Sequence, residues 1–133
     1  MSAQDNLSPK QFHIFRGLQV PASKVRKNLL GLHWTDDPDV AEEFGSGKGL
    51  GGYERERRAH VGKPYSVIHA TATKRAVEKN PEKLQSYDIA EDLHENEIPL
   101  KENVKVNVHS ITTVHPGKRE RMRKYNPPRT MTT

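Results

Sequence analysis

A chain of 133 residues allows one small domain rather than two, and its lack of cysteine excludes a disulfide framework, Cys-ligated zinc, an iron–sulfur cluster and a thiol nucleophile. Hydrophobic residues are 32% of the chain and charged residues 29%, which fits a modest core with polar margins, and no apolar run approaches the ~18–20 residues of a membrane span. Residues 1–114 hold 16 Lys+Arg against 16 Asp+Glu, so the net charge of +5 lies wholly in residues 115–133, which excludes a uniformly basic domain and describes a neutral body with a cationic end.

Residues 1–11 read as a flexible lead-in without the basic-then-apolar pattern of a signal peptide, so a cytoplasmic protein is the expectation. Phe12-His13-Ile14-Phe15, ended by Arg16-Gly17, reads as a first strand. Pro21 blocks an early helix, Ser23 can cap a short one over 24–30, and Gly31 would end it. Leu32-His33-Trp34-Thr35 is a second strand. Asp36-Asp37-Pro38 then starts a helix, with Asp as N-cap and Pro in the first turn; Val40, Ala41 and Phe44 share one face, and Gly45 stops it.

Residues 45–52 hold five glycines in eight positions, a loop without the terminal Gly-Lys-Ser/Thr of a phosphate-binding P-loop. A charged helical turn follows over 53–60, and the run from Tyr65 to Ala72 is the central-strand candidate. Residues 74–94 read as partly helical with a break at Asn80-Pro81. In Glu95-Asn96-Glu97-Ile98-Pro99-Leu100 the two carboxylates fall on one face of an extended chain, while Ile98 and Leu100 fall on the other and can anchor it. The same pattern also fits an edge strand with a charged solvent face. Val104 to His109 alternates as a half-buried strand. Residues 115–133, with Pro116-Gly117, Pro127-Pro128 and few apolar residues, read as a basic, flexible tail. Residues 118–129 are its candidate contact with nucleic acid or another anionic partner. Irregularly mixed strands and short helices indicate an α+β fold. The seven histidines are scattered without metal-ligand spacing, and no metal is expected.

Three elements then stand in a particular order: a strand ending in Arg16-Gly17, a Gly-x-His-Trp-Thr strand running into an Asp-Pro helix with Ala and Phe on its inner face (residues 31–44), and the Glu-x-Glu of 95–97 followed by apolar residues. This order resembles the ADP-ribosyltransferase fold, in the class that uses an Arg, a Ser/Thr-containing strand and a Glu-x-Glu, and within it the small phage and bacterial members. The likeness spans roughly residues 12–109, inside a domain drawn at 12–114.

The resemblance implies a split, mostly antiparallel β core with short helices, holding NAD as co-substrate in a cleft between two small sheets, with no metal. Arg16 would match the arginine that contacts the NAD phosphates and ribose and steadies the cleft, with Gly17 beside it. His33, Trp34 and Thr35 would match the second element, Thr35 supporting the nicotinamide ribose and the catalytic glutamate or else capping the following helix. Trp34 and Phe44 would be apolar walls near the nicotinamide, or core. Glu97 would match the catalytic glutamate that binds the ribose hydroxyl and stabilises the positive charge developing as nicotinamide leaves, and Glu95 the glutamate that orients the acceptor. His13 is a further cleft candidate.

The activity so implied is mono-ADP-ribosyl transfer to a macromolecule, a protein (through arginine) before a nucleic acid, or else hydrolysis of NAD, as in a phage or toxin effector acting on host machinery. The alternatives are an inactive module of the same fold that binds through its basic end, or a virion or assembly component.

Overall fold

The computed structural model describes residues 11–47, 62–79 and 97–133. In chain order the elements are β1 (Gln11–Leu18), β2 (His33–Thr35), α1 (Pro38–Ser46), β3 (Tyr65–Thr73), β4 (Glu97–Pro99), β5 (Lys105–Val114) and β6 (Arg121–Thr132), with single 3-10 turns at Ala22–Lys24 and Lys74–Ala76. The strands form a sheet in the order β4-β2-β1-β3-β5-β6, every neighbour antiparallel. The fold is therefore α+β with a mostly antiparallel sheet.

One face of this sheet makes the core. Ile14, Trp34, Ile68, Ala70, Val108, Ile111 and Met131 are buried there, joined by Leu30 and Leu100 from flanking segments. The alternation of β3 sets this up: Ile68 and Ala70 point inward while Val67 and His69 remain half-exposed on the other face. The link between β1 and β2 crosses the core face. Ser66 Oγ donates to the Val20 carbonyl at 2.7 Å, Ala22 N–H to Thr113 Oγ1 at 3.0 Å and Leu30 N–H to the Thr132 carbonyl at 3.1 Å. Those tertiary bonds explain why the expected helix over 24–30 does not form. The turn stops at Lys24, and Ser23 lies inside it, the N-cap position being taken by Pro21.

Helix α1 packs on the opposite face. Asp37 caps it by accepting the Asp39 N–H at 2.9 Å, as its sequence suggests. Gly45 does not stop it, however. Gly45 is buried inside the helix, where a Cβ would come within 2.7 Å of the Tyr65 ring, and the left-handed Gly47 (φ 88°) ends the helix. Gly17 serves the same packing: a Cβ there would lie 1.8 Å from the Ala41 carbonyl oxygen, so the close approach of helix to β1 requires glycine.

The largest departure from the sequence reading is at the C-terminus. Residues 121–132 are a strand on the edge of the sheet, not a flexible tail. Its basic residues stay exposed because its outer side faces solvent, while its inner edge pairs with β5 from Lys105↔Thr132 to Thr113↔Arg121. Pro127 and Pro128 fall where the ladder is interrupted: Tyr125 to Pro128 stand opposite the single residue His109, so the missing N–H groups break no pairing. Met131 and Thr133 are buried, and Thr133 is tied at both ends, its N–H to Val104 O at 2.9 Å and its hydroxyl to Lys101 O at 2.7 Å.

A second departure concerns the split core. The described strands form one sheet rather than two, although its β1–β2 junction narrows to the single pair Phe15↔Thr35. Residues 74–76 make only a turn, and Val77 bridges to Leu100. The remainder of the helical reading over 80–94, the turn over 53–60, most of the glycine loop, Glu95 and residues 1–10 lie outside the described residues. Among the described residues, no helix is long and apolar enough to cross a membrane.

Candidate functional site

The sheet edge β4-β2-β1 gathers residues that are far apart in sequence. Thr35 sits at the centre of the register, opposite Glu97 on one side and Phe15 on the other. Glu97 and His33 project from the same face of β4 and β2 because they are two positions apart across the ladder. His33 Nδ1 lies 3.3 Å from Glu97 Oε1; the His33 side chain is 41% exposed and that of Glu97 12%. The carboxylate is thus sheltered but reachable beside an open imidazole. Ile98 packs against the core and Leu100 is buried, which anchors β4 as its alternation implies.

Arg16 starts from the core side of β1, paired with Ile68, and its guanidinium donates through Nη1 to the carbonyl of His33. Gly31, at φ +97°, makes room for it: a Cβ there would meet Nη2 at 2.6 Å. Burial lowers the Arg16 pKa to about 10, with the Glu97 charge acting the other way, so the group stays cationic at neutral pH. Its Nε is buried without an acceptor among the described residues. Arg16 therefore holds the backbone that presents His33 and Thr35, and it lies within reach of the field of Glu97.

The remaining candidates divide. Thr35 is buried, and its Oγ1 accepts the Asp37 N–H at 3.1 Å, so it caps the entry to α1 as well as facing Glu97. Trp34 is a correction to the reading as a cofactor wall: it is 1% exposed, belongs to the core cluster, and donates its indole N–H to the Gly31 carbonyl at 2.9 Å. Gly17 lies beneath α1 and serves helix packing. Phe44 is half-buried in the last turn of α1, where its carbonyl accepts from Gln19 Nε2 at 3.1 Å.

A second group is one of which sequence reasoning singles out only His13. His13, His69 and His109 come from β1, β3 and β5 and meet on the face opposite the core. His13 Nδ1 and His69 Nε2 are 2.9 Å apart, and His109 Nε2 is 3.1 Å from Thr71 Oγ1. The Phe15, His69 and His109 rings stack in series at centroid distances of 4.8 and 5.0 Å. Burial, then the charges of His109 and His13, push the His69 pKa down. Among the described residues no group of three His, Asp or Glu side chains could hold a metal ion. The signal available in the sequence was parity: each of these histidines occupies a position alternating with the core residues of its strand. Metal-ligand spacing within one segment could not reveal them, because they lie on three separate strands.

Beside the stack, a groove of about 480 Å³ is lined by His69, His109, Met122, Lys124, Tyr125 and Pro128, among others. Arg123 and Arg129 place their guanidinium carbons 5.8 and 5.4 Å from the Tyr125 ring centroid.

No protein-family model, curated protein or solved structure matches this chain.

Proposed function

We propose that the chain is an NAD-dependent mono-ADP-ribosyltransferase with its active centre at the β4-β2-β1 edge and a macromolecular acceptor. The observation that supports it is the meeting of three separated candidates on three adjacent strands: Arg16 on β1, Thr35 on β2 and Glu97 on β4, with Thr35 directly opposite Glu97. Nothing in the sequence alone requires Glu97 to fall beside the Trp34-Thr35 element; in the ladder it does.

In this reading the Glu97 carboxylate accepts a hydrogen bond from a hydroxyl of the nicotinamide ribose and faces the positive charge that develops as the bond from C1′ to the nicotinamide nitrogen breaks. A fixed carboxylate in a sheltered site stabilises such charge more than it would in water. His33, in contact with Glu97, orients the carboxylate, and Thr35 fixes the spacing between β2 and α1. Arg16 acts chiefly as a positioning residue through the His33 carbonyl, rather than by the open phosphate grip that the family likeness implies. The new bond forms from C1′ to a nucleophile of the acceptor, and an arginine side chain of a protein is the acceptor that the Glu-x-Glu suggests. Glu95, the residue for orienting it, lies outside the described residues.

The test is nicotinamide release from NAD by the intact chain and by Glu97→Gln, with and without a cell extract as acceptor. The expected result is a loss of ~100-fold or more in the variant, the scale seen when one preorganised electrostatic group is removed, with an unchanged melting temperature and stimulation of the native chain by extract. Equal release by the two proteins would overturn the assignment of Glu97.

A further inference from the structure

We propose that the groove between β5 and β6 is a binding site for single-stranded nucleic acid, separate from the β4-β2-β1 edge. Two kinds of surface meet along β6, which borders the groove. One is a set of flat rings: the Phe15–His69–His109 stack runs towards the groove, which His69 and His109 line on one side and Tyr125 on the other. The other is cationic: Arg121, Arg123, Lys124 and Arg129 are all exposed along the outer strand of the sheet. Rings offer bases a sequence-tolerant stacking platform, and a basic track beside them follows the phosphates.

The local architecture serves this combination. The four-residue interruption from Tyr125 to Pro128 lifts the strand away from the regular ladder opposite His109 and opens the groove. Tyr125 packs partly against the core, and its ring faces two guanidinium groups: Arg123 and Arg129 pair across the ladder with Ile111 and Val108, so they stand on the core face, round the edge strand from the histidine stack, where they line a second open hollow that shares Lys124, Tyr125 and Pro128 with the groove. Lys124 pairs across the ladder with Ser110, itself paired with His69, so the ammonium stands on the same face as the histidine stack. At the start of β3, burial first and then the charge of Glu42, with a lesser contribution from Glu120, raise the Tyr65 pKa to about 12, and Tyr65 donates to Glu42 at 3.1 Å. An acidic peptide would satisfy the charges and leave the rings unused. A duplex would bring its phosphates to the rings and hide its bases. A single strand uses both surfaces.

The experiment is fluorescence anisotropy of labelled twelve-nucleotide oligo(dT) and oligo(U) with the full chain at 50 and 200 mM salt. Abasic oligomer and polyglutamate of equal charge serve as competitors. With about three phosphates neutralised, affinity should fall ~20-fold across that salt range. The combined variant Arg123→Ala, Lys124→Ala, Arg129→Ala should lose at least ten-fold at 50 mM and show a shallower salt slope, with melting unchanged because all three side chains are exposed. A Lys24→Ala control should bind as the native chain does. Tight binding of either oligomer supports the site. Equal competition by abasic oligomer or polyglutamate, or full binding by a folded triple variant, overturns it. None of these readouts depends on turnover of NAD.

Discussion

The two ends of the sheet are built on different principles. At the β3-β5-β6 end, long ladders fix position: β1 pairs with β3 over eight residues and β5 with β6 over eight, so register is determined many times over. At the β4-β2 end the strands are three residues long, and β2 meets β1 at one pair. Side chains do there what backbone does elsewhere. Arg16 grips the His33 carbonyl, His33 meets Glu97, and Thr35 caps the turn into α1. The long ladders make a rigid platform whose outer strand can carry many exposed charges. The short edge places a few polar groups with individual contacts, the arrangement expected where chemistry rather than stability sets the requirement.

Removing Arg16 strikes at this contrast most directly. Arg16→Met keeps the length and apolar stem but loses the donor to His33. Nicotinamide release should fall ~10–100-fold, since small misplacements at a reacting centre cost on that scale. Stability should change little, because replacing a buried charge by an apolar side chain of similar volume relieves its desolvation. Activity equal to the native chain would show that the ladders alone position the edge.

A smaller effect is expected at the other end. The folded pKa of His69 lies below its ordinary value of 6.5, so the unfolded chain binds more protons as pH falls through that range. The contribution of this group is therefore present above about pH 6.5 and is lost as pH drops below it. Melting temperature should decline from pH 7 to pH 5, more steeply for the native chain than for His69→Gln. Identical slopes would show that the stacked imidazoles do not compete for protons.

Much of this was legible beforehand, and the reasons are local. Asp37 and Pro38 announce a helix start by capping chemistry, which needs no tertiary partner, β1 and β3 follow from β-prone runs, and β5 from alternation. Ile98 and Leu100 anchor β4 as their parity requires. What escaped depends on distant partners. Gly45 looks like a stop because glycine often is one, yet it is used for contact with Tyr65. Residues 115–133 look like a tail because charge and proline usually mean solvent, and an edge strand tolerates both on its open side. Trp34 could face either way until β2 acquired neighbours. The same holds for the candidate site. The family resemblance puts Arg16, Thr35 and Glu97 in one cleft, but their shared edge exists only once β4 pairs with β2. The histidine stack needed the registry of β1, β3 and β5.

The central claim is that the short edge, and not the long platform, receives NAD. Titrating NAD into the isotope-labelled chain and following backbone amide resonances tests it residue by residue. The expected result is saturable shifts at His33, Trp34, Thr35, Glu97 and Ile98, with Ser110, Lys124 and Tyr125 unmoved. Shifts confined to the β5-β6 groove, or none at saturating NAD, would contradict it.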